Sequence, residues 1–181
     1  MPKVRILDAA FAILAREGPP SPAIVAREAG VSKALIFHHF RSVEGLHDAM
    51  AERVLAQTQE GLNAFASEFP NPRERLHALA RALLSEPPEP PSSARHVLRF
   101  WLDDDGRGGS RATLRDALLV DFIRATLKEM RSPADATRIA SMLLARWHGA
   151  TIVYASGTAV DFDAEAERAI AELDRMTGAR A

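Results

Sequence analysis

The chain has 181 residues and no cysteine, which excludes a disulfide scaffold, a thiolate nucleophile and a cysteine zinc site. It also lacks a strong excess of either charge. Lys and Arg number 23 and Asp and Glu 24, a formal net charge of −1, so bulk charge points neither to nucleic acid nor to an anionic surface. Long hydrophobic runs are missing: no stretch reaches the roughly 18 uncharged apolar residues of a membrane span. The opening MPKVRILDAAFAILAREG is interrupted by Asp8, Arg16 and Glu17 and does not read as a signal peptide. A cytoplasmic protein without a membrane partner is expected. Strand-like runs of β-branched and aromatic residues are absent as well, the nearest being Ile152-Val153-Tyr154 inside a helical pattern.

What is present favours helices. There are 33 alanines, and strong helix formers fill the stretches between the glycines and prolines. With 47% hydrophobic residues the chain has ample material for a core. The fold class expected is all-α with about nine helices. Turn signals place them at Val4–Arg16, Pro22–Ala29, from after Ser32 to Phe40, from Ser42 to Phe69, Arg73–Ser85, Ala94–Asp103, from Ser110 to Arg131, Ala134–Ser156 and Asp163–Met176. No linker separates the first 45 residues from the remainder, and the fourth helix runs on into it.

The segment Val25–Phe40, VAREAGVSKALIFHHF, carries the functional signal. A helix-turn-helix needs a small residue where its two helices cross, and Ala26 stands there. Four positions on it needs a residue tolerant of a left-handed backbone, which Gly30 supplies. Val31 can plug the space beneath the turn, Ser32 can cap the second helix, and Ile36 with Phe40 form its inner face. Lys33, Ala34, Leu35 and His38 are then left to face outward, as a recognition helix requires.

With those residues in place, ILDAAFAILAREG…SPAIVAREAGVSKALIFHHFRSVEGL resembles the N-terminal DNA-binding domain of the TetR (tetracycline-repressor) family of transcriptional regulators, over about residues 4–47. The later region, with LRFW early and ARWHGATIVYASG late, is similar to the C-terminal domain of regulators resembling the choline-responsive repressor BetI. The resemblance implies a helix-turn-helix domain over 1–46 and an effector-binding and dimerisation domain over 47–181. It implies a non-enzymatic, ligand-responsive regulator, in the first instance a repressor released from a palindromic operator by a small molecule, with no cofactor. The residues it assigns to DNA are Ser21, Arg27, Ser32, Lys33, Ala34, Leu35, Phe37, His38 and Arg41. Three positions depart from the family pattern: Phe37 stands where Tyr is common, Leu35 where Thr is common, and Val43 where Lys is common. Each change removes a donor to the DNA backbone. An all-α ligand-binding protein or small enzyme on the same fold, with weakened DNA affinity, is the alternative.

Charge placement agrees with a reading head near the N-terminus. Residues 1–50 carry a net +1 and the other 131 a net −2. Several sharper readings compete with plainer ones. Ser21 serves as a cap with or without a phosphate contact, and Lys33 as a reader or as a solvated lysine. His38, His39 and His47 invite a metal site, but adjacent histidines diverge by about 100° on a helix. Asp103-Asp104-Asp105-Gly106 lacks the alternation and terminal Glu of a calcium loop. For an effector pocket the candidates are His96, Arg99, Phe100, Trp101, Phe122, Met142, Arg146, Trp147 and Tyr154, against plain core. An inward Arg99 or Arg146 would favour an anionic effector. Small and apolar residues along the eighth and ninth helices fit a four-helix dimer interface, against burial within one chain.

Overall fold

In a computed structural model, residues 2–87, 90–102 and 111–178 are described. Among the described residues there are helices and no strand: α1 (Pro2–Glu17), α2 (Pro22–Ala29), α3 (Lys33–Phe40), α4 (Val43–Glu68), α5 (Pro72–Leu83), α6 (Pro91–Leu102), α7 (Arg111–Glu129), α8 (Ala136–Ala155) and α9 (Phe162–Thr177). The expected all-α class is the observed one. The ends follow local chemistry. Ser21, Ser32, Asn71, Asp135 and Asp161 each turn a side-chain oxygen onto first-turn amides of the helix that follows. Helix α6 begins at Pro91, three residues ahead of the expected Ala94, because a proline's fixed φ and missing N–H suit a first helical turn. The expected loop Asp103–Gly106 lies outside the described residues.

Packing divides the helices into two units. The first contains α1, α2, α3, α4 as far as Gln57, and α6; α6 joins it by lying along α1. Its core is built from Ile6, Ile13, Val25, Ile36, Leu46 and Met50, together with Phe100 and Trp101 from α6. Polar ties reinforce the helix pairs. Arg16 at the end of α1 pairs with Glu28 of α2 at 3.3 Å, and Arg53 of α4 pairs with Asp8 of α1 at 2.7 Å.

The second unit contains the rest of α4 with α5, α7, α8 and α9 around Leu76, Leu79, Ile123, Ile139, Leu143 and Leu173. Among the described residues Arg75 is the one charged side chain buried in it, 6% exposed. Its guanidinium donates to the carbonyls of Phe69 and Pro70 at 2.8 and 3.3 Å and to Glu129 at 2.9 Å. It thereby closes the α4–α5 turn and ties it to the end of α7. On the neighbouring face of α5, Arg73 and His77 converge on Asp174 of α9, at 3.1 and 2.8 Å. Burial would raise the Asp174 carboxyl, but the bonds from Arg73 and His77 outweigh it and hold it below its ordinary value.

Candidate nucleic-acid interface

Helices α2 and α3 are joined by a three-residue link, Gly30 to Ser32, that only certain residues allow. Gly30 has φ +62° and ψ +41°, a left-handed conformation that costs a side-chain-bearing residue energy. Its N–H returns to Arg27 O, and the Val31 N–H to Ala26 O at 2.9 Å. Ser32 Oγ accepts from the Leu35 amide at 3.1 Å, so α3 starts one residue later. Ser21 Oγ accepts from the Ile24 amide at 3.5 Å at the start of α2, where Pro22 occupies the first position. The turn and caps read from the sequence are in place.

Burial sorts α3 into two faces. Ile36 and Phe40 are buried, while Lys33, Ala34, Phe37 and His38 are exposed, positions that share one side of a 3.6-residue helix. Ser21, Arg27, Ser32 and Arg41 are exposed as well; Leu35, expected to face outward, is half-buried beside the buried Ile36, and Phe37 takes an outward position instead. Lys33 Nζ stands 5.7 Å from the centre of the Phe37 ring, and Lys3 Nζ of α1 stands 5.8 Å from that of Phe40. Lysines from two helices therefore flank α3. From residue 29 to 43 no Asp or Glu occurs, and the nearby Glu28 is already paired with Arg16.

The α3–α4 junction holds two constraints that sequence reading missed. Arg41 has φ +68° and ψ −43°, and the Ser42 N–H bonds back to Phe40 O at 2.8 Å, a γ-turn of the positive-φ kind that strains a non-glycine residue. The same Phe40 carbonyl lies against Gly45. A Cβ on Gly45 would sit 2.0 Å from that oxygen. Only the bare Cα of Gly45 admits so close a turn, and Ser42 Oγ secures it by accepting the Gly45 amide at 2.9 Å. Next along α4, His47 Nε2 is 3.1 Å from Pro20 O, and its ring meets Phe100 edge-on at 5.7 Å. His47 thus joins the link before α2 to α6 rather than forming a metal set. Among the described residues no cluster of three His, Asp or Glu is placed to hold a metal.

The nine pocket candidates fall into both units. His96, Arg99, Phe100 and Trp101 belong to the first; Phe100 and Trp101 are core side chains there and Arg99 is exposed. Phe122, Met142 and Trp147 pack at the margin of the second core, and Tyr154 meets Phe162 edge-on. Arg146 is held by Glu165 at 3.2 Å and Glu172 at 2.8 Å. It borders a surface pocket of about 420 Å³ shared with Ala145, Gly149, Val153, Val160 and Glu165. A group the sequence did not flag surrounds Trp147: Arg115 of α7 lies 4.3 Å from its ring centre and 3.2 Å from His148 Nε2. Burial, and then the Arg115 charge, push His148 below its ordinary value, so at neutral pH the ring accepts from Arg115. Arg115 also pairs with the adjacent Asp116 at 3.3 Å, but Trp147 and His148 are 32 and 33 residues away, so no local sequence signal marks the group they form.

Comparison with known proteins agrees with this geometry. Residues 6–50 match the family model described as bacterial regulatory proteins, tetR family. No curated protein matches the chain. Among solved structures the chain is similar to Escherichia coli NemR in its reduced form, with TM-score 0.75 at 19% identity over 100% of both chains. It is similar to Bacillus subtilis FadR in complex with stearoyl-CoA, with TM-score 0.67 at 14% identity over 98% of this chain and 99% of that one. It is also similar to the Streptomyces coelicolor TetR regulator SCO0520, with TM-score 0.59 at 21% identity over 97% and 98%. Residues 6–50, which contain the helix-turn-helix, thus carry the sequence pattern of the tetR family of bacterial regulatory proteins, and the described residues share the fold of these solved regulators.

Proposed function

We propose that the protein is a ligand-responsive repressor that binds a palindromic operator as a homodimer and leaves it when a small molecule binds. The observation that carries the DNA side is the exposed, acid-free face of α3, with Lys33, His38 and Arg41 outward and Lys3 alongside. Residues 1–46 are assigned to reading DNA and 47–181 to effector binding and dimerisation. Ser21, Arg27, Ser32 and Arg41 are assigned to phosphates, and Lys33, Ala34, Leu35, Phe37 and His38 to the groove. Of the pocket candidates, Phe122, Met142, Arg146, Trp147 and Tyr154 carry the effector proposal, since all belong to the second unit. The effector reaches the operator by shifting the population between binding-competent and incompetent dimers. A thiol–disulfide response is unavailable to a chain without cysteine. Small residues Ala145, Gly149 and Ala150 on α8, beside exposed Ile152 and Val153, support a two-fold contact through α8 and α9.

Fluorescence anisotropy on the DNA upstream of the coding sequence, at two salt concentrations, tests this. Tight binding should weaken steeply with salt, with a slope near −0.9 per phosphate contacted. Binding no tighter than to random DNA would refute the regulator reading in favour of a ligand-binding protein or small enzyme without an operator. Lys33→Ala should weaken binding and relax sequence preference. Val153→Glu should shift a dimer toward monomer in light scattering.

A further inference from the structure

Phe37 is the one exposed Phe, Tyr or Trp among the described residues, 38% exposed on the outward face of α3. A ring left in water serves no packing purpose, and this one is not left bare at random. The Lys33 ammonium covers one of its faces at 5.7 Å. One turn earlier on the same face, Ala34 offers only a methyl group, which leaves a low step over which a flat object can approach the ring. The surrounding stretch, residues 29–43, holds Lys33 and Arg41 and no acid, a charge complement to DNA.

A phenyl ring has neither donor nor acceptor, so it cannot bond a phosphate or the polar edge of a base. The apolar group that the major groove offers is the C5 methyl of thymine. We infer that Phe37, approached over Ala34, reads a thymine methyl in each operator half-site and is a specificity-determining residue of this protein. Loss of a phosphate donor at this position and gain of a base contact are then one change. This rests on the DNA-binding reading proposed above.

The test starts from duplexes that the full chain selects out of a random pool. Each thymine is replaced in turn by deoxyuridine, which lacks only the C5 methyl, and binding is measured by anisotropy. At one thymine of each half-site the affinity should fall about four-fold, and about 15-fold when both halves are changed together. Phe37→Ala should bind the thymine duplex as weakly as the wild type binds the deoxyuridine duplex, and show no further loss on replacement. A wild-type chain indifferent to every replacement would overturn the inference while leaving the regulator reading intact. So would replacement losses that persist undiminished in Phe37→Ala. Failure to enrich any sequence would overturn the regulator reading itself, and this inference with it.

Discussion

Gly45 and Gly61 lie sixteen residues apart on α4, and alanine at the two positions should move stability in opposite directions. At Gly61 nothing lies within 4 Å of a new Cβ, so Gly61→Ala should gain about 1 kcal/mol from reduced backbone freedom. At Gly45 the same methyl would start 2.0 Å from Phe40 O. Ordinary contact needs more than 3 Å, so an oxygen already held at 2.8 Å by the Ser42 amide must retreat by an ångström or more. Forcing such an overlap costs roughly 1–3 kcal/mol, and here the yielding group is backbone, which places the cost at the upper end. Against the alanine gain this leaves a net loss of about 2 kcal/mol. At about 2–4 °C per kcal/mol for a chain of this size, Gly45→Ala should melt about 4–8 °C below the wild type, and Gly61→Ala about 2–4 °C above it. Circular dichroism at 222 nm through thermal and urea unfolding reads both. A Gly45→Ala protein as stable as Gly61→Ala would refute the close-approach argument, since propensity alone predicts the same gain for each.

Arg75→Ala strands two carbonyls and Glu129 together and should cost about 2–4 kcal/mol in urea unfolding; a loss below about 1 kcal/mol would show that water replaces the guanidinium adequately. Because Asp174 is held below its ordinary value, its contribution is full above the unfolded carboxylate range and is lost as pH falls through the folded value. Asp174→Asn should therefore lower stability at neutral pH and flatten the acid limb of a stability–pH curve; an unchanged limb would assign acid sensitivity elsewhere. Arg41→Gly should relieve the positive-φ strain, leaving the melting temperature unchanged or slightly raised, while reducing the salt slope of DNA binding by about one. An unchanged slope would remove Arg41 from the phosphate contacts.

The parts legible in the sequence were those written by short-range chemistry. Gly30, Ser32 and Pro22 announce a turn, a cap and a helix start because each answers a backbone need within four residues. The helical period placed Lys33, Ala34 and His38 correctly on the outer face of α3, but it put Leu35 there, which is half-buried, and not Phe37, which is exposed. What escaped depends on distant or reciprocal contacts. Phe100 and Trp101 read equally as pocket or core until α6 is known to lie on α1, some 90 residues earlier. Gly45 looked like an ordinary glycine in a helix, since its need arises from where Phe40 O points after a strained turn at Arg41. Arg75 resembled any surface arginine because its acceptors are mostly main-chain carbonyls, which carry no residue signature.

The lodging of α6 against α1 bears on how this protein is made. A helix-turn-helix encoded within about fifty codons looks like a portable cassette, ready to fold as soon as it leaves the ribosome. Here its hydrophobic interior lacks Phe100 and Trp101 until translation has passed both codons. Until then, Ile6, Ile13 and Met50 must wait with part of their surroundings in water, exposed to chaperones and to neighbouring nascent chains. Closing the α1–α6 contact spans a long loop and is correspondingly slow. A fragment ending near residue 57 should therefore misbehave in expression even though it contains every residue assigned to DNA.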